Sequence, residues 1–279
     1  MKLGLFGINT GALAEPDTML AVATRAEALG FESVWTGEHV VLPDPRVPPS
    51  PAAPLTPMLH PSTALAYIAA ATTRLKLGTG ITLLAQRNAL VLAKEMASLD
   101  YLSRGRLIFG IGAGYLKQEF DALGVDFSER GARTDEYIRA LREIWTADKP
   151  AFAGRFVSYS GIQSRPRPFQ PGGPPIVIGG TSEAAFRRAV TSCQGWYGFA
   201  MDFDVAAGAL AGLATAASRH ERPASLGPLE ISITPRMKTG AEELARWSDM
   251  GVSRLILLQA AQEPAALQDE LEATAATLM

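Results

Sequence analysis

Two titratable side chains stand next to each other in the stretch SVWTGEHVVLP, residues 33–43, where an apolar run ends at Gly37. Glu38 is followed directly by His39, one of three histidines in the chain. An imidazole exchanges protons near neutral pH, which suits His39 to general acid or base catalysis. The local sequence leaves a second interpretation equally open, in which His39 only caps the end of a strand through hydrogen bonds to the backbone. Glu38 receives no role beyond orienting its neighbour.

The other histidines do not suggest a second catalytic centre. His60 precedes a proline at a predicted helix start, and we expect it to be structural; His220, in the polar stretch SRHERP, is expected on the surface. The three histidines have no HExxH or other metal-ligand spacing, so no metal site is predicted. A G-x-S-x-G elbow, a P-loop and a Cys–His pair are all missing from the sequence, and a hydrolytic triad therefore has no anchor.

Glycines mark the ends of several apolar runs. In RLIFGIGAGYLKQEF, residues 106–120, the G-x-G-x-G pattern lacks the third glycine of a Rossmann fingerprint at the required spacing. Bare backbone at a strand end does let a flat ligand approach closely, although tight packing at a barrel rim would need the same glycines. In LKLGTGITLL, the segment from Gly80 through Ile81 to Thr82 indicates only the end of a strand.

A further glycine pair precedes a predicted helix and suggests an anion site. In PPIVIGGTSEAAFRRA, residues 174–189, an apolar run ends at Gly179-Gly180, and Thr181 or Ser182 can cap the following helix. Free amides at a helix start bind anions, aided by the helix dipole. An ordinary helix cap explains the same residues equally well on local grounds.

Apolar runs and amphipathic segments alternate along the whole chain and would position these residues. Eight runs read as buried strands, and the segments between them have apolar residues at helical spacing. This alternation predicts a parallel sheet, and eight units without a compositional break favour a closed (β/α)8 TIM barrel over an open doubly wound sheet. The eight runs are KLGLFGI, SVWTG, LKLGTGI, RLIFGIG, PIVIGG, GWYGF, EISITP and SRLILLQ. The predicted helices are 18–29, 60–71, 89–101, 133–145, 182–190, 204–218, 242–250 and 264–278.

Two long loops interrupt the regular alternation within a single predicted domain, residues 1–279. The proline-rich loop 43–61 and the insertion 148–175, with a possible hairpin in RFVSYSGI, are both longer than connectors need to be. We expect both at the carboxyl-terminal face of the barrel, where TIM-barrel enzymes carry their active sites and where these loops would shape the pocket.

Composition narrows the class of protein and its surroundings. The net charge of −2 does not favour nucleic acid or an anionic membrane as a partner, and 47% hydrophobic residues are typical of a soluble globular protein. The one cysteine, Cys193, cannot form an internal disulfide, which fits a reducing cytoplasm. Neither a signal peptide nor an apolar run long enough to span a bilayer is recognised, so a cytoplasmic location is expected.

Three blocks of the sequence together resemble the bacterial luciferase-like flavin monooxygenase superfamily, most closely its branch that uses the deazaflavin coenzyme F420. The blocks cover over a third of the chain, and the middle one is the most specific. They are GFESVWTGEHVVLP, then the long block from LGTGITLLAQRN to EYIRALREIWT, and PRPFQPGGPPIVIGGTSEAAFRRA. The resemblance implies a (β/α)8 barrel with the cofactor at its carboxyl-terminal mouth, in agreement with the strand count.

The resemblance also implies roles for individual residues. His39 would lie near the reacting end of the cofactor ring as a proton donor or acceptor, or would orient the substrate. Gly80 and Ile81 would form a cis peptide bond whose bulge backs the ring, with Thr82 in the same cofactor-binding segment. The loop after the fourth strand would follow the cofactor's polar chain, and the turn after the fifth would hold its phosphate. These two segments are Ala113, Gly114 and Tyr115, and Gly179, Gly180 and Thr181.

The implied chemistry is hydride transfer between C5 of the deazaflavin and a small, apolar organic substrate, with loop 43–61 acting as a lid. Tyr115 stands where the deazaflavin sugar-phosphate dehydrogenases have a catalytic glutamate, which argues against that substrate class. An FMNH2-dependent monooxygenase and a non-catalytic flavin-binding barrel are the alternatives. The tail of F420 would need extra cations, for which Arg87, Arg165 and Arg167 are candidates. A homodimer is expected from the family.

Overall fold

A computed structural model, which describes residues 1–261 and 263–279, contains a closed barrel of eight parallel strands. Each strand pairs with the next along the chain; β8 pairs with β1, and β3 pairs with β4 through Leu77–Leu107 and Gly78–Ile108. The predicted TIM barrel is therefore confirmed, and all eight apolar runs form its strands. The strands are β1 Lys2–Phe6, β2 Ser33–Thr36, β3 Lys76–Thr79, β4 Leu107–Gly112, β5 Ile176–Gly179, β6 Gly195–Met201, β7 Glu230–Pro235 and β8 Arg254–Leu258.

Helices surround the barrel, and their boundaries follow local capping chemistry. The Glu15 carboxylate accepts hydrogen bonds from the amides of Asp17 and Thr18 at the start of the first helix. That helix ends at Gly30, whose φ of 96° lies in the left-handed region. The helices are α1 Pro16–Leu29, α2 Pro61–Ala71, α3 Ala89–Leu102, α4 Lys117–Ala122, α5 Arg130–Thr146, α6 Glu183–Ser192, α7 Phe203–Arg219, α8 Ala241–Asp249 and α9 Pro264–Leu278. The short α4 is the one helix in this set that the sequence patterns did not indicate.

Two hydrophobic clusters stabilise the barrel. The larger one fills the layer between strands and helices, and the smaller one lies inside the barrel around Trp35, Tyr197 and Ile256. Trp35 fits there because β3 has a glycine at position 78: a Cβ on Gly78 would lie 2.3 Å from the indole ring. Because the interior is filled, a ligand cannot occupy the centre of the barrel, and the carboxyl-terminal end is the usual place for a site in this fold.

The amino-terminal end of the barrel contains a buried ionic cluster. Arg254, only 2% exposed, donates two hydrogen bonds of 2.9 Å to the Glu32 carboxylate and also pairs with Glu230. Its guanidinium donates to Ser232 Oγ at 3.0 Å and lies 5.6 Å from the ring centroid of Trp35. These contacts join β2, β7 and β8 at the end opposite the carboxyl-terminal mouth.

The two long loops lie at opposite ends of the barrel. Loop 43–61 follows β2 and lies at the carboxyl-terminal mouth, as predicted. The insertion 148–175 follows α5, and a helix returns the chain to the amino-terminal ends of the strands, so its expected place at the catalytic face was wrong. Its hairpin pairs Phe152–Ala153 with Ser158–Tyr159, which places the first strand ahead of RFVSYSGI. The Glu136 carboxylate accepts from the backbone amides of residues 155–157 and anchors the turn.

Among the described residues, none of the helices combines the length and hydropathy that a bilayer span requires.

We expect replacement of Arg254 by methionine to lower the free energy of unfolding by about 3 kcal/mol, because two glutamates would lose a buried partner. Urea unfolding followed by tryptophan fluorescence measures this difference. Lys2→Met is the matched control, since Lys2 is an exposed partner of Glu230 and its loss should cost less than about 1 kcal/mol. Equal effects of the two substitutions would contradict a structural role for the buried cluster.

Candidate functional site

A cavity of about 780 Å³ opens at the carboxyl-terminal mouth of the barrel, lined by the loops that follow β1–β5 and β8 and by residues of β6 itself. A volume of this size accommodates a tricyclic cofactor together with a small molecule. Nine of the ten residues predicted for the site line this cavity. They are His39, Gly80, Ile81, Ala113, Gly114, Tyr115, Gly179, Gly180 and Thr181. Thr82 is the exception: its side chain is buried behind the wall, where residues 82–83 pair with Ile111 and Gly112.

One wall of the cavity is formed by the segment after β3. The peptide bond between Gly80 and Ile81 is cis, as the resemblance implies, and the Gly80 amide donates to the carbonyl of Thr36 at 2.8 Å. The Ile81 side chain packs on bare backbone: a Cβ would lie 2.1 Å from its Cδ1 if placed on Gly112 and 2.9 Å if placed on Gly179. Glycines on β4 and β5 thus make room for an apolar wall at the centre of the mouth.

The start of α6 and two arginines place hydrogen-bond donors and positive charge at one end of the cavity. Because these groups suit an anion, we call it the anion-binding end. Gly180 adopts a φ of 106°, and Ser182 Oγ accepts from the amide of Ala185 at 3.2 Å to cap the helix. Arg188, 5% exposed, lines the cavity with its guanidinium held by Asp135 at 2.7 Å. Arg130 also lines the cavity and donates to the Gly114 carbonyl at 3.2 Å. A phosphate here would meet helix amides and two cations.

His39 is held between two side chains from the loop after β4 and from α4. Its Nδ1 lies 3.2 Å from Oε2 of Glu119, and its Nε2 lies 3.4 Å from the hydroxyl of Tyr115. The other oxygen of Glu119 accepts from the Val40 amide at 2.5 Å, so one carboxylate binds two consecutive residues of the loop after β2. The geometry resembles the carboxylate–histidine pairs that orient an imidazole for acid–base catalysis.

Glu119 is ionised in this arrangement, although it is completely buried. Burial alone would raise the pKa of this carboxyl, but hydrogen bonds from His39 and the Val40 amide, with the polar side chain of Gln86 nearby, hold the pKa below its usual range. An ionised carboxylate only accepts hydrogen bonds, so Nδ1 of His39 must carry a proton. In the neutral imidazole, Nε2 therefore presents a lone pair to Tyr115.

Glu38, left without a role by the sequence, turns away from His39. Its Oε1 accepts from Arg87 and, at 3.4 Å, from the amide of Leu83; Oε2 has no hydrogen-bond partner within the described part of the chain. Burial raises the pKa of this carboxyl despite the Arg87 charge. Arg87 also donates to His60 Nε2 at 2.8 Å, which gives His60 the structural place expected of it. Glu38 thus anchors the strand end and does not orient its neighbour.

The end of loop 43–61 is fastened to the strands beneath it. Asn9 Nδ2 donates to the carbonyls of Gly37 and Leu59, and its Oδ1 accepts from the Gly37 amide at 2.9 Å. The His39 amide donates to the sulfur of Met58 at 3.1 Å. Four loop residues, Pro51, Ala52, Thr56 and Met58, line the cavity. The loop is therefore part of the wall around His39.

The side of the cavity away from the anion-binding end is apolar. It is formed by Phe6, Leu13, Phe199, Met201 and Leu258, and the rings of Phe6 and Phe199 lie 4.8 Å apart. We call these five residues the apolar side. Its composition favours neutral, hydrophobic ligands.

Sequence reasoning missed several residues that build the site. No sequence pattern indicated Glu119, because its partner His39 lies eighty residues away in the sequence and α4 is only six residues long. Arg87, Arg165 and Arg167, considered for a cofactor tail, do not line the cavity in the described structure; the arginines that do are Arg130 and Arg188. No group of three or more His, Cys, Asp or Glu within residues 1–261 and 263–279 is arranged to hold a metal ion.

Known proteins with similar sequences or folds include both FMNH2-dependent and F420-dependent enzymes. An uncharacterized protein of Mycobacterium tuberculosis is 29% identical over 249 residues, 86% of each chain. An FMNH2-dependent dimethylsulfone monooxygenase of Pseudomonas putida is 37% identical over 108 residues, 38% of this chain and 30% of that protein. A solved F420-dependent secondary alcohol dehydrogenase shares the fold with a TM-score of 0.78 at 17% identity, covering 98% of this chain and 97% of that one.

The sequence model of the luciferase-like monooxygenase family matches residues 3–277, nearly the whole chain. Together with the closed parallel barrel, this match shows that the chain belongs to the luciferase-like monooxygenase family.

Proposed function

We propose that this protein is a coenzyme F420-dependent oxidoreductase that transfers hydride between the deazaflavin and a small, neutral organic substrate. The observation that supports this most is the convergence of three features on one cavity: the wall at Ile81, the anion-binding end at α6 and the acid–base residues around His39. Each feature suits a different part of a flavin-type cofactor or its reaction.

The wall and the anion-binding end are compatible with the two ends of such a cofactor. Ile81 offers an apolar surface for a planar ring, on backbone kept bare by Gly112 and Gly179. Arg188 is already oriented by Asp135, so binding a phosphate costs little side-chain entropy. When bound, the deazaflavin supplies the hydride chemistry, and the chain contributes position, charge and exclusion of water.

The remaining residues of the mouth suit the substrate and its proton. The apolar side provides hydrophobic surface for a neutral molecule, and the lid residues Thr56 and Met58 lie in the same cavity wall. When hydride moves to or from a carbon that carries an oxygen, a proton must also be added to or removed from that oxygen. His39, with its partners Glu119 and Tyr115, can exchange this proton.

The choice of F420 over FMN rests on the resemblance of the three sequence blocks to the F420-dependent branch of the family. An F420-dependent alcohol dehydrogenase has the same barrel over 97% of its length, which is compatible with this choice. The 37% local identity to the FMNH2-dependent dimethylsulfone monooxygenase is the specific observation that keeps an FMNH2-dependent oxygenase as the second candidate. The two cofactors share the ring system, the ribityl chain and the first phosphate, so the α6 turn suits both.

Titration of the purified protein with F420 and with FMN, followed by cofactor fluorescence, distinguishes the two candidates. We expect a lower Kd for F420. Tighter binding of FMN, together with O2 consumption in the presence of FMNH2, would contradict the proposal and support the oxygenase.

Removal of the Arg188 charge tests the anion-binding end. We expect Arg188→Met to weaken FMN binding by about 2 kcal/mol, roughly thirtyfold, through loss of a charge-assisted hydrogen bond to phosphate. Riboflavin has the same ring without the phosphate and serves as the control ligand. If Arg188→Met weakens riboflavin and FMN equally, Arg188 supports the fold and does not bind phosphate.

His39→Ala tests whether the protein is a catalyst or a flavin-binding barrel. We expect turnover on a panel of small neutral alcohols and ketones to fall by about a hundredfold or more, with the Kd for F420 changed less than threefold. His220→Ala, at the carboxyl-terminal end of α7 and outside the mouth cavity, is the matched control. Cofactor binding without any turnover in the unmodified protein would favour the non-catalytic alternative.

A further inference from the structure

The hydroxyl of Tyr115 extends the line of hydrogen bonds from Glu119 through His39 into the cavity. When the imidazole is neutral, Nδ1 of His39 carries the proton shared with Glu119, so Nε2 is an acceptor and the Tyr115 phenol is the donor across the 3.4 Å separation. The three groups belong to different segments, and all of them lie on one side of the mouth. They form a continuous path from a buried carboxylate to the ligand space.

Exposure decides which member of this path a ligand meets. The His39 side chain is only 8% exposed, and Glu119 is completely buried. Tyr115 is 49% exposed and lines the cavity, with its ring edge-on to the imidazole at 5.8 Å between centroids. Of these three residues, Tyr115 is therefore the most accessible to a ligand in the cavity, and His39 lies behind it.

We propose that Tyr115 is the catalytic residue that exchanges a proton with the oxygen of an alcohol or carbonyl substrate, and that His39 and Glu119 form the relay behind it. This inference rests on the proposed function, because it needs the deazaflavin as the hydride acceptor or donor. It also narrows the substrate to molecules whose reacting carbon carries an oxygen.

The step balances in protons and electrons. During alcohol oxidation the substrate O–H bond breaks, its proton passes to the Tyr115 oxygen, and the phenol proton passes to Nε2 of His39. The carbon–hydrogen bond breaks with both electrons as hydride to the deazaflavin, which leaves a carbonyl product. Carbonyl reduction reverses each transfer.

The surroundings of Tyr115 favour a relay over a free phenolate. Burial, together with the negative charge of Glu119, raises the pKa of the phenol. Tyr115 therefore stays protonated and must give up its proton as it receives another. The ionised Glu119 stabilises the imidazolium that this transfer produces on His39, so Glu119 is a positioning residue.

Tyr115→Phe removes the hydroxyl and keeps the ring against His39, whereas Tyr101→Phe, at the exposed end of α3, is the matched control. Nitrogen-15 NMR of the three histidine side chains measures the relay in the cofactor-free protein. We expect His39 to be the Nδ1–H tautomer, its Nε2 resonance to move in Tyr115→Phe and not in Tyr101→Phe, and Glu119→Gln to give a mixture of tautomers. An unchanged Nε2 resonance in Tyr115→Phe overturns the relay.

Kinetics with F420 and the same alcohol and ketone panel measures the catalytic role. We expect Tyr115→Phe to lower kcat by about a hundredfold and to abolish the solvent deuterium isotope effect, with the Kd for F420 unchanged. Full activity in Tyr115→Phe, with loss of activity in His39→Ala, overturns the role of Tyr115 while preserving the proposed function. Absence of turnover in the unmodified protein, despite F420 binding, overturns both.

Discussion

The mouth of this barrel depends on the hydrogen bonds that the buried carboxylate of Glu119 accepts. A charge without solvent exposure is stable only with hydrogen bonds to it, and Glu119 obtains them from Nδ1 of His39 and the amide of Val40. The same two bonds fix the direction of the chain as it leaves β2 and select one tautomer of the imidazole. The conformation of the chain after β2 and the tautomer of His39 therefore depend on the same carboxylate.

Other contacts hold the same segment from the remaining sides. Asn9 binds the backbone of Gly37, just after β2, and of Leu59, near the end of loop 43–61, and the sulfur of Met58 accepts a hydrogen bond from the amide of His39. Glu38 joins the strand end to Arg87, whereas His39 pairs with Glu119, so the two adjacent side chains serve different purposes. Positioning from several independent elements is what a proton-transfer residue requires, since small displacements weaken catalysis strongly.

Much of the fold could be predicted from the sequence because buried parallel strands and amphipathic helices have distinct periodicities. The runs from KLGLFGI to SRLILLQ all became strands, and Gly30 ended its helix as its type suggests. The resemblance to a family correctly indicated the cis bond at Gly80–Ile81. Glu119 could not be found this way, because a contact between a loop after β2 and the short α4 leaves no local pattern. The place of the insertion 148–175 does not follow from its length. The insertion comes after a helix, α5, and a segment between a helix and the next strand lies at the amino-terminal end of the barrel.

The central claim is that hydride moves directly between substrate carbon and the deazaflavin while the proton moves separately through side chains of this chain. Isotope tracing tests it most directly: small neutral secondary alcohols deuterated at the carbinol carbon are incubated with the protein and F420 in ordinary water. The account predicts one deuterium at C5 of the reduced cofactor by mass spectrometry. It predicts none at C5 when unlabelled alcohol reacts in deuterated water and the exchangeable positions are returned to hydrogen before measurement. Reduced cofactor that lacks substrate deuterium, or that takes its new C5 hydrogen from solvent, would contradict the account.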